Sequence, residues 1–388
     1  MTPRALLLLP ALLAAACAST HLPPVTSATF TPEEDERRLW ARAAEEQKKL
    51  EASGALYRDA ELEAYLNGVA RKLLPADVFK AIPFRVRLLH SRQFNASAAP
   101  NGVIYVHTGL LAQMDNEAQL ATLLGHEMTH ATHRHGIRDV RATKNKTAFL
   151  ATVNTTLGGV PIVGGLTSFA AAVGTAAAIT GYSRDQEREA DREGLRLMVQ
   201  AGYDPREAPK LFRILKEELE EEKVEEPFFY ASHPRLSERI ETYEELLRTE
   251  YAGHTGGVTN ADVFLQKIQR VVLDTAWMEL RAGRFAYAAR GAEKYLAIRP
   301  GDPRGHYLLG EIYRQRGAQG DLDRAAAEYR RAAALDRGYA DPHKGLGLVY
   351  LKRGERRLCK AALLTYLSLA PKATDRAYVE ESIRQCDR

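Results

Sequence analysis

No charge of either sign dominates this chain: 54 lysines and arginines stand against 50 aspartates and glutamates. No block of Lys or Arg forms the basic stripe that a nucleic-acid surface needs, so that class of partner is set aside. Cysteine is scarce. Three residues, Cys17, Cys359 and Cys386, are too few for a disulfide framework and are odd in number. Long apolar runs are also missing from the N-terminus. Ala5 to Ala16 is too short to cross a bilayer comfortably, so MTPRALLLLPALLAAAC reads as a secretory signal. Its end, Ala14-Ala15-Ala16-Cys17, resembles a bacterial lipobox, in which the cysteine becomes the lipidated first residue. That places the protein in the periplasm, with anchoring to the outer membrane through Cys17 the expected form. Cys359 and Cys386 then remain as an even pair, either bonded or separately packed.

The length asks for two or three domains. Residues 1–17 are the signal, and 18–30, polar with Pro23 and Pro24, read as a tether. Thr31-Pro32-Glu33-Glu34 has the pattern of a helix start with Thr31 as N-cap, and that helix should run to Ser53. A second helix covers about 59–74. FRVRLLHS (84–91) and GVIYVHTG (102–109) read as strands. A helix from about Asn116 should end at Gly136, and another follows Asp185. A Gly-rich joint at 253–257 closes this first domain, 31–256. Residues 261–388 repeat themselves. Gly283, Gly317 and Gly354 follow similar stretches, and LLGEIY and GLGLVY carry the L-G-x-x-Y pattern of tetratricopeptide helices. About three helix pairs are expected there. The fold class is mainly α with a small β-sheet: a catalytic domain followed by an α-solenoid.

What the chain does have in concentration is histidine. GHEMTHATHRHG, residues 125–136, holds four of the eleven. His126 and His130 are four apart, so a helix puts both imidazoles on one face, with Glu127 between them. This is the HExxH arrangement of zinc hydrolases, in which the glutamate is a general base. A short motif arises by chance, and two histidines do not complete a catalytic shell, so a third ligand must exist. A third histidine six residues after the second is ruled out, since that position is Gly136. EREAD supplies the alternative: Glu187 as ligand and Asp191, on the same face, as hydrogen-bond acceptor for a ligand histidine. Glu189 points about 200° around that helix and is a poorer ligand. His133 is expected in a structural role, and His135 near the last carbonyls of its helix.

HExxH followed by ExxxD, with NASAAPNGVIYVHTGLL upstream and YSRDQEREADREGLRLMVQAGYDP downstream, resembles the gluzincin metalloprotease family that contains HtpX and the CAAX prenyl protease. With an export signal in front and repeats behind, the architecture is similar to that of the bacterial beta-barrel assembly-enhancing proteases. The resemblance implies one Zn²⁺ held by His126, His130 and Glu187, with Glu127 as general base. It also implies that His233 of SHP approaches the metal, either as an inhibitory fourth ligand or as a transition-state stabiliser. Tyr182 and Arg235 are further candidates to stabilise the oxyanion. The implied activity is endopeptidase hydrolysis of misfolded or unassembled envelope proteins, with the repeats recruiting clients or the outer-membrane assembly machinery. The competing reading is a repeat-based scaffold or chaperone with latent proteolysis. Nothing in the sequence sets the oligomeric state.

Two further expectations follow. An extended substrate is expected to add to the strand Val103–His107 through main-chain hydrogen bonds. Residues 147–183 contain no charge at all, but a single membrane crossing there would separate His126 from Glu187, so a helical hairpin over the site is expected.

Overall fold

The computed structural model describes residues 19–156, 182–222, 236–254 and 256–387. The chain divides into two compact units, Met1–Phe264 and Leu265–Arg388.

The first unit opens with α1 (Glu34–Ala52), α2 (Ala60–Leu73) and α3 (Ala76–Ala81). Helix α1 begins later than Thr31 predicts. Its cap is Glu33, whose N–H donates to Glu36 Oε2 at 3.0 Å. Glu33, Asp35 and Glu36 are in turn held by Arg134 and Arg141, and these ion pairs override the local cap signal. The segment read as a tether is docked in its described part. Leu22 and Val25 are buried, and Val25 N–H donates to the Thr132 carbonyl.

A three-stranded sheet follows, of β1 (Arg85–Leu89), β2 (Ala96–Ala98) and β3 (Val103–His107), in the order β1-β3-β2. β1 and β3 are parallel, while β2 and β3 are antiparallel. β1 alternates exposed and buried as its sequence predicted. β3 does not alternate, because it is central: Ile104, Tyr105 and Val106 are all buried. It is hydrogen-bonded on both sides and has no edge to offer, so the expectation that a substrate adds to Val103–His107 is wrong. β2, which the sequence reading missed, is the edge strand on that side.

After α4 (Thr108–Gln113) comes α5 (Glu117–Thr132), capped by the Asn116 side chain, which accepts from Gln119 N–H. Every residue of α5 is buried, so it is the central helix of the unit. Its N-terminus is fixed by Glu117, which accepts from Tyr65, Lys72, Tyr203 and Asn260. α7 (Arg184–Gln200) packs along α5, started by the Ser183–Gln186 capping box. The two helices meet at glycines. A Cβ on Gly194 would stand 2.7 Å from His126 N, and one on Gly125 would stand 2.8 Å from Gly194 O. Between them in sequence lies α6 (His135–Thr156). Residues 157–181 are outside the described residues, and most of the expected hairpin lies there. Among the described residues no helix is long and apolar enough to cross a membrane. α8 (Glu207–Glu222) and α9 (Leu236–Thr249) pack on each other and complete the unit.

The second unit is helical, as the repeats predicted. α10 (Ala261–Arg281) leads into it and meets α11 (Phe285–Ile298) at Gly291, where a Cβ would stand 2.8 Å from that of Ala276. α12 (Pro303–Arg316) pairs with α13 (Asp321–Leu335), and α14 (Asp341–Lys352) with α15 (Arg356–Leu369). α16 (Arg376–Cys386) closes the series. The small residues of the repeat are contact points: Gly310 and Gly345 both face the ring of Tyr329, where a Cβ would come within 2.5 Å. A Cys359–Cys386 disulfide joins α15 to α16, settling a pairing the sequence left open.

Candidate metal centre

His126 and His130 project from one face of α5, and Glu187 reaches them from α7. His126 Nε2 and His130 Nε2 are 3.0 Å apart. Glu187 Oε2 lies 3.5 Å from the first nitrogen, and Oε1 lies 3.4 Å from the second. All three side chains are buried. Among the described residues this is the group of histidine and acidic side chains arranged to hold a metal ion. Ligand atoms about 2.1 Å from a tetrahedral ion stand roughly 3.4 Å apart. Two nitrogen lone pairs and a carboxylate converging at these separations repel one another unless a cation or proton lies between them. The donor set therefore fits a divalent ion, and two imidazoles with one glutamate is a set used by hydrolytic zinc sites, which keep a further position open.

The groups behind the cluster are as ordered as the cluster itself. His126 Nδ1 is 2.9 Å from Asp191 Oδ1. Burial would raise the Asp191 pKa, but Arg239 and the His126 hydrogen bond outweigh it and hold the carboxyl below its usual range. Arg239 Nη2 donates to Asp191 at 2.5 Å, and Tyr243 OH donates to the same carboxylate at 2.8 Å. Arg239 Nη2 is also 2.8 Å from His126 Nδ1. One nitrogen cannot both donate to Asp191 and accept from Arg239. The ionised, buried carboxylate is the stronger partner, and a proton on Nδ1 leaves the Nε2 lone pair for a metal. Burial, then Arg239, pushes the His126 pKa down to about 4, which keeps the ring neutral at pH 7.

Glu127 is also buried on α5, between the two histidines in sequence. Tyr182 stacks on the His130 ring, with centroids 3.8 Å apart and planes inclined by 15°. Burial, with the charges of Glu127, Asp139 and Glu187, holds its hydroxyl well above the usual tyrosine range, so it stays protonated. His233 and Arg235 lie outside the described residues.

The helix break is not where the sequence put it. α5 stops at Thr132, with His133 as C-cap, and Arg134 takes the left-handed region at φ 59°. Gly136 lies inside α6. A non-glycine residue pays for that conformation; Arg134 is held there by Glu36 and Glu33 and by the face of Phe30. The break turns His135 back toward the site. Instead of meeting helix carbonyls, His135 Nδ1 is 2.8 Å from His130 Nδ1, and its Nε2 is 3.0 Å from Glu189 Oε2. Glu189 is not in the ligand cluster but does have this partner. His133 stands apart from the cluster, with Nδ1 3.2 Å from Thr132 Oγ1.

Arg239 and Tyr243 were missed in the sequence. A signal was present: Leu236, Arg239, Tyr243 and Leu246 share one buried helix face, and an arginine on such a face requires a buried anion.

Residues 58–247 match peptidase family M48, and residues 318–354 match a TPR repeat. The chain carries an M48 metalloprotease domain. The M48 domain contains the whole of the cluster described above. The beta-barrel assembly-enhancing protease of Escherichia coli is 29% identical over 174 residues, 43% of this chain and 35% of that protein. A putative beta-barrel assembly-enhancing protease of Vibrio cholerae is 27% identical over 194 residues, 49% of this chain and 40% of that one. The mitochondrial metalloendopeptidase OMA1 of Schizosaccharomyces pombe is 28% identical over 185 residues, 47% and 52% respectively. The chain thus spans about a third of the length of the first of these relatives.

Proposed function

We propose that this protein is an exported zinc-dependent endopeptidase that cleaves misfolded or unassembled envelope proteins. One observation carries the reading: His126, His130 and Glu187 converge from two helices on one point, with Glu127 buried on the same helix as the histidines. A zinc ion held there supplies Lewis-acid activation of water and of the scissile carbonyl. The protein's own residues do the rest. Asp191 keeps a proton on His126 Nδ1 and orients the ring. Glu127 takes the proton of the attacking water and returns it to the leaving amine. Tyr182, protonated and stacked on His130, would donate to the developing oxyanion. His233 and Arg235 remain candidates for the same task, with His233 alternatively blocking the resting site. An extended substrate would pair with β2, which is the edge strand among the described residues, rather than with β3.

The envelope setting is supported by the names of the bacterial relatives, by the signal-like N-terminus and by the disulfide, which persists in oxidising compartments. Domains of 31–256 for catalysis and 261–388 for recruitment of protein partners, such as the outer-membrane assembly machinery, belong to the same proposal, as does lipid attachment at Cys17.

Metal analysis and casein cleavage of the mature soluble chain test it. The expected result is one zinc per chain, cleavage abolished by chelator, and a Glu127→Gln variant that keeps the metal but loses at least about a thousandfold in rate. A folded protein without a transition metal would end the proposal. Full complementation of a deletion strain by Glu127→Gln would instead support the scaffold reading.

A further inference from the structure

The two ligand histidines are oriented differently. His126 meets a carboxylate directly, at Asp191. His130 meets another histidine. His130 Nδ1 and His135 Nδ1 are 2.8 Å apart, and His135 Nε2 is 3.0 Å from Glu189 Oε2, which Arg138 Nη1 also approaches at 3.1 Å. His135 has no exposed surface, whereas the Glu189 side chain is about a third exposed.

The donor and acceptor roles along this chain are determined by its outer end. A carboxylate only accepts, so His135 Nε2 must carry the proton it donates to Glu189. The reverse tautomer would set a nitrogen lone pair against the carboxylate at 3.0 Å. A neutral His135 protonated on Nε2 has its lone pair on Nδ1. His130 must therefore donate from its own Nδ1, which leaves the His130 Nε2 lone pair facing His126 and Glu187. We propose that His135 and Glu189 form a positioning relay that fixes the tautomer and ring orientation of His130 for metal binding. The inference rests on the metal reading above and adds two residues to it. Neither residue is a ligand or touches the reacting atoms.

The local fold is consistent with this purpose. In an unbroken helix His135 would lie about 140° around the axis from His130. The left-handed Arg134 ends α5 and restarts the chain as α6, so that the His135 ring folds back behind His130. Glu189 sits on the α7 side opposite Glu187, where it is useless as a ligand but faces α6.

The test is zinc affinity of the full mature chain at pH 7.5, measured by competition with a chromophoric chelator. Outer partners of ligand histidines carry about 10–100-fold in metal affinity. His135→Phe, which keeps the ring volume and removes the acceptor, is expected to bind zinc at least about tenfold more weakly. His135→Gln, whose amide oxygen accepts the His130 proton, is expected to stay within about threefold of wild type, a rescue that a packing role would not give. If His135→Phe does not fold, Glu189→Ala at its partly exposed position decides, with a loss of about fivefold or more expected. The relay is overturned if folded His135→Phe or, in its place, Glu189→Ala binds zinc as the wild type does, or if His135→Gln binds as weakly as His135→Phe. A wild type that binds no zinc sinks the metal reading and the relay together. A wild type that binds zinc alongside unaffected variants sinks the relay alone.

Discussion

Replacing Asp191 by asparagine removes one charge from a fully buried set and leaves the shape almost unchanged. Asp191 is 1% exposed and accepts from Arg239, Tyr243 and His126. In Asp191→Asn the Arg239 guanidinium keeps Phe212 beneath it at 4.2 Å, but its nearest remaining anion is Glu187, 3.9 Å from Nη1. Breaking a buried pair from one side costs about 3–5 kcal/mol, because the surviving charge has lost its compensation. For a unit of this size that is a fall of roughly 10 °C in Tm. The assay is thermal melting followed by circular dichroism in chelator, which separates the ion pair from the metal. Adding Arg239→Met should recover part of the loss, with a coupling of about 2 kcal/mol or more, since removing both charges is far milder than removing one. The pH dependence has a definite sign. Asp191 has a folded pKa below its unfolded value, so its contribution is complete above about pH 4 and is lost as pH falls through the folded pKa. The gap between wild type and Asp191→Asn should therefore stay constant from pH 8 to pH 5. A Tm difference under about 2 °C at pH 7, strict additivity of the two substitutions, or a gap that closes by pH 6 would refute the reasoning.

Three other outcomes follow from the structure. Gly194→Ala places a methyl 2.7 Å from His126 N, so the α5–α7 pair must part; a loss of about 1–3 kcal/mol together with weaker zinc binding is expected, and unchanged melting and affinity would contradict it. Cys386→Ser opens a loop with a sequence separation of 27; chain entropy gives about 3–4 kcal/mol of lost stability, seen as a reductant-sensitive melting transition that the variant lacks. Burial holds the His107 pKa down to about 4, and among the described residues its Nδ1 has no hydrogen-bond partner. The unfolded chain takes up a proton near pH 6.5 while the folded one resists until about pH 4, so this group costs up to about 2–3 kcal/mol as pH falls across that window. His107→Gln should flatten the urea-unfolding stability between pH 7 and pH 4.5, and a slope equal to wild type would count against it.

Much of the candidate site was legible in the sequence, because the helical period converts spacing into direction. His126 and His130 share a face at i and i+4, Glu187 and Asp191 do the same on a second helix, and completion of a catalytic shell required the two to meet. The repeat glycines Gly283, Gly317 and Gly354 marked the turns of the second unit, and each has positive φ. Other features were not legible locally. Arg134 in a left-handed conformation is invisible in sequence, since its stability comes from Glu36 on α1, 98 residues away. β3 was read as an edge because strand order is not written in a strand's own pattern. Short-range rules thus fixed which side chains point together along one element. Which elements face each other was decided by packing: Gly125 against Gly194 brings Glu187 to the histidines, and a broken helix puts His135 behind His130. Contacts between distant segments depend on shape and burial summed over the whole unit, and no local window of sequence contains that sum.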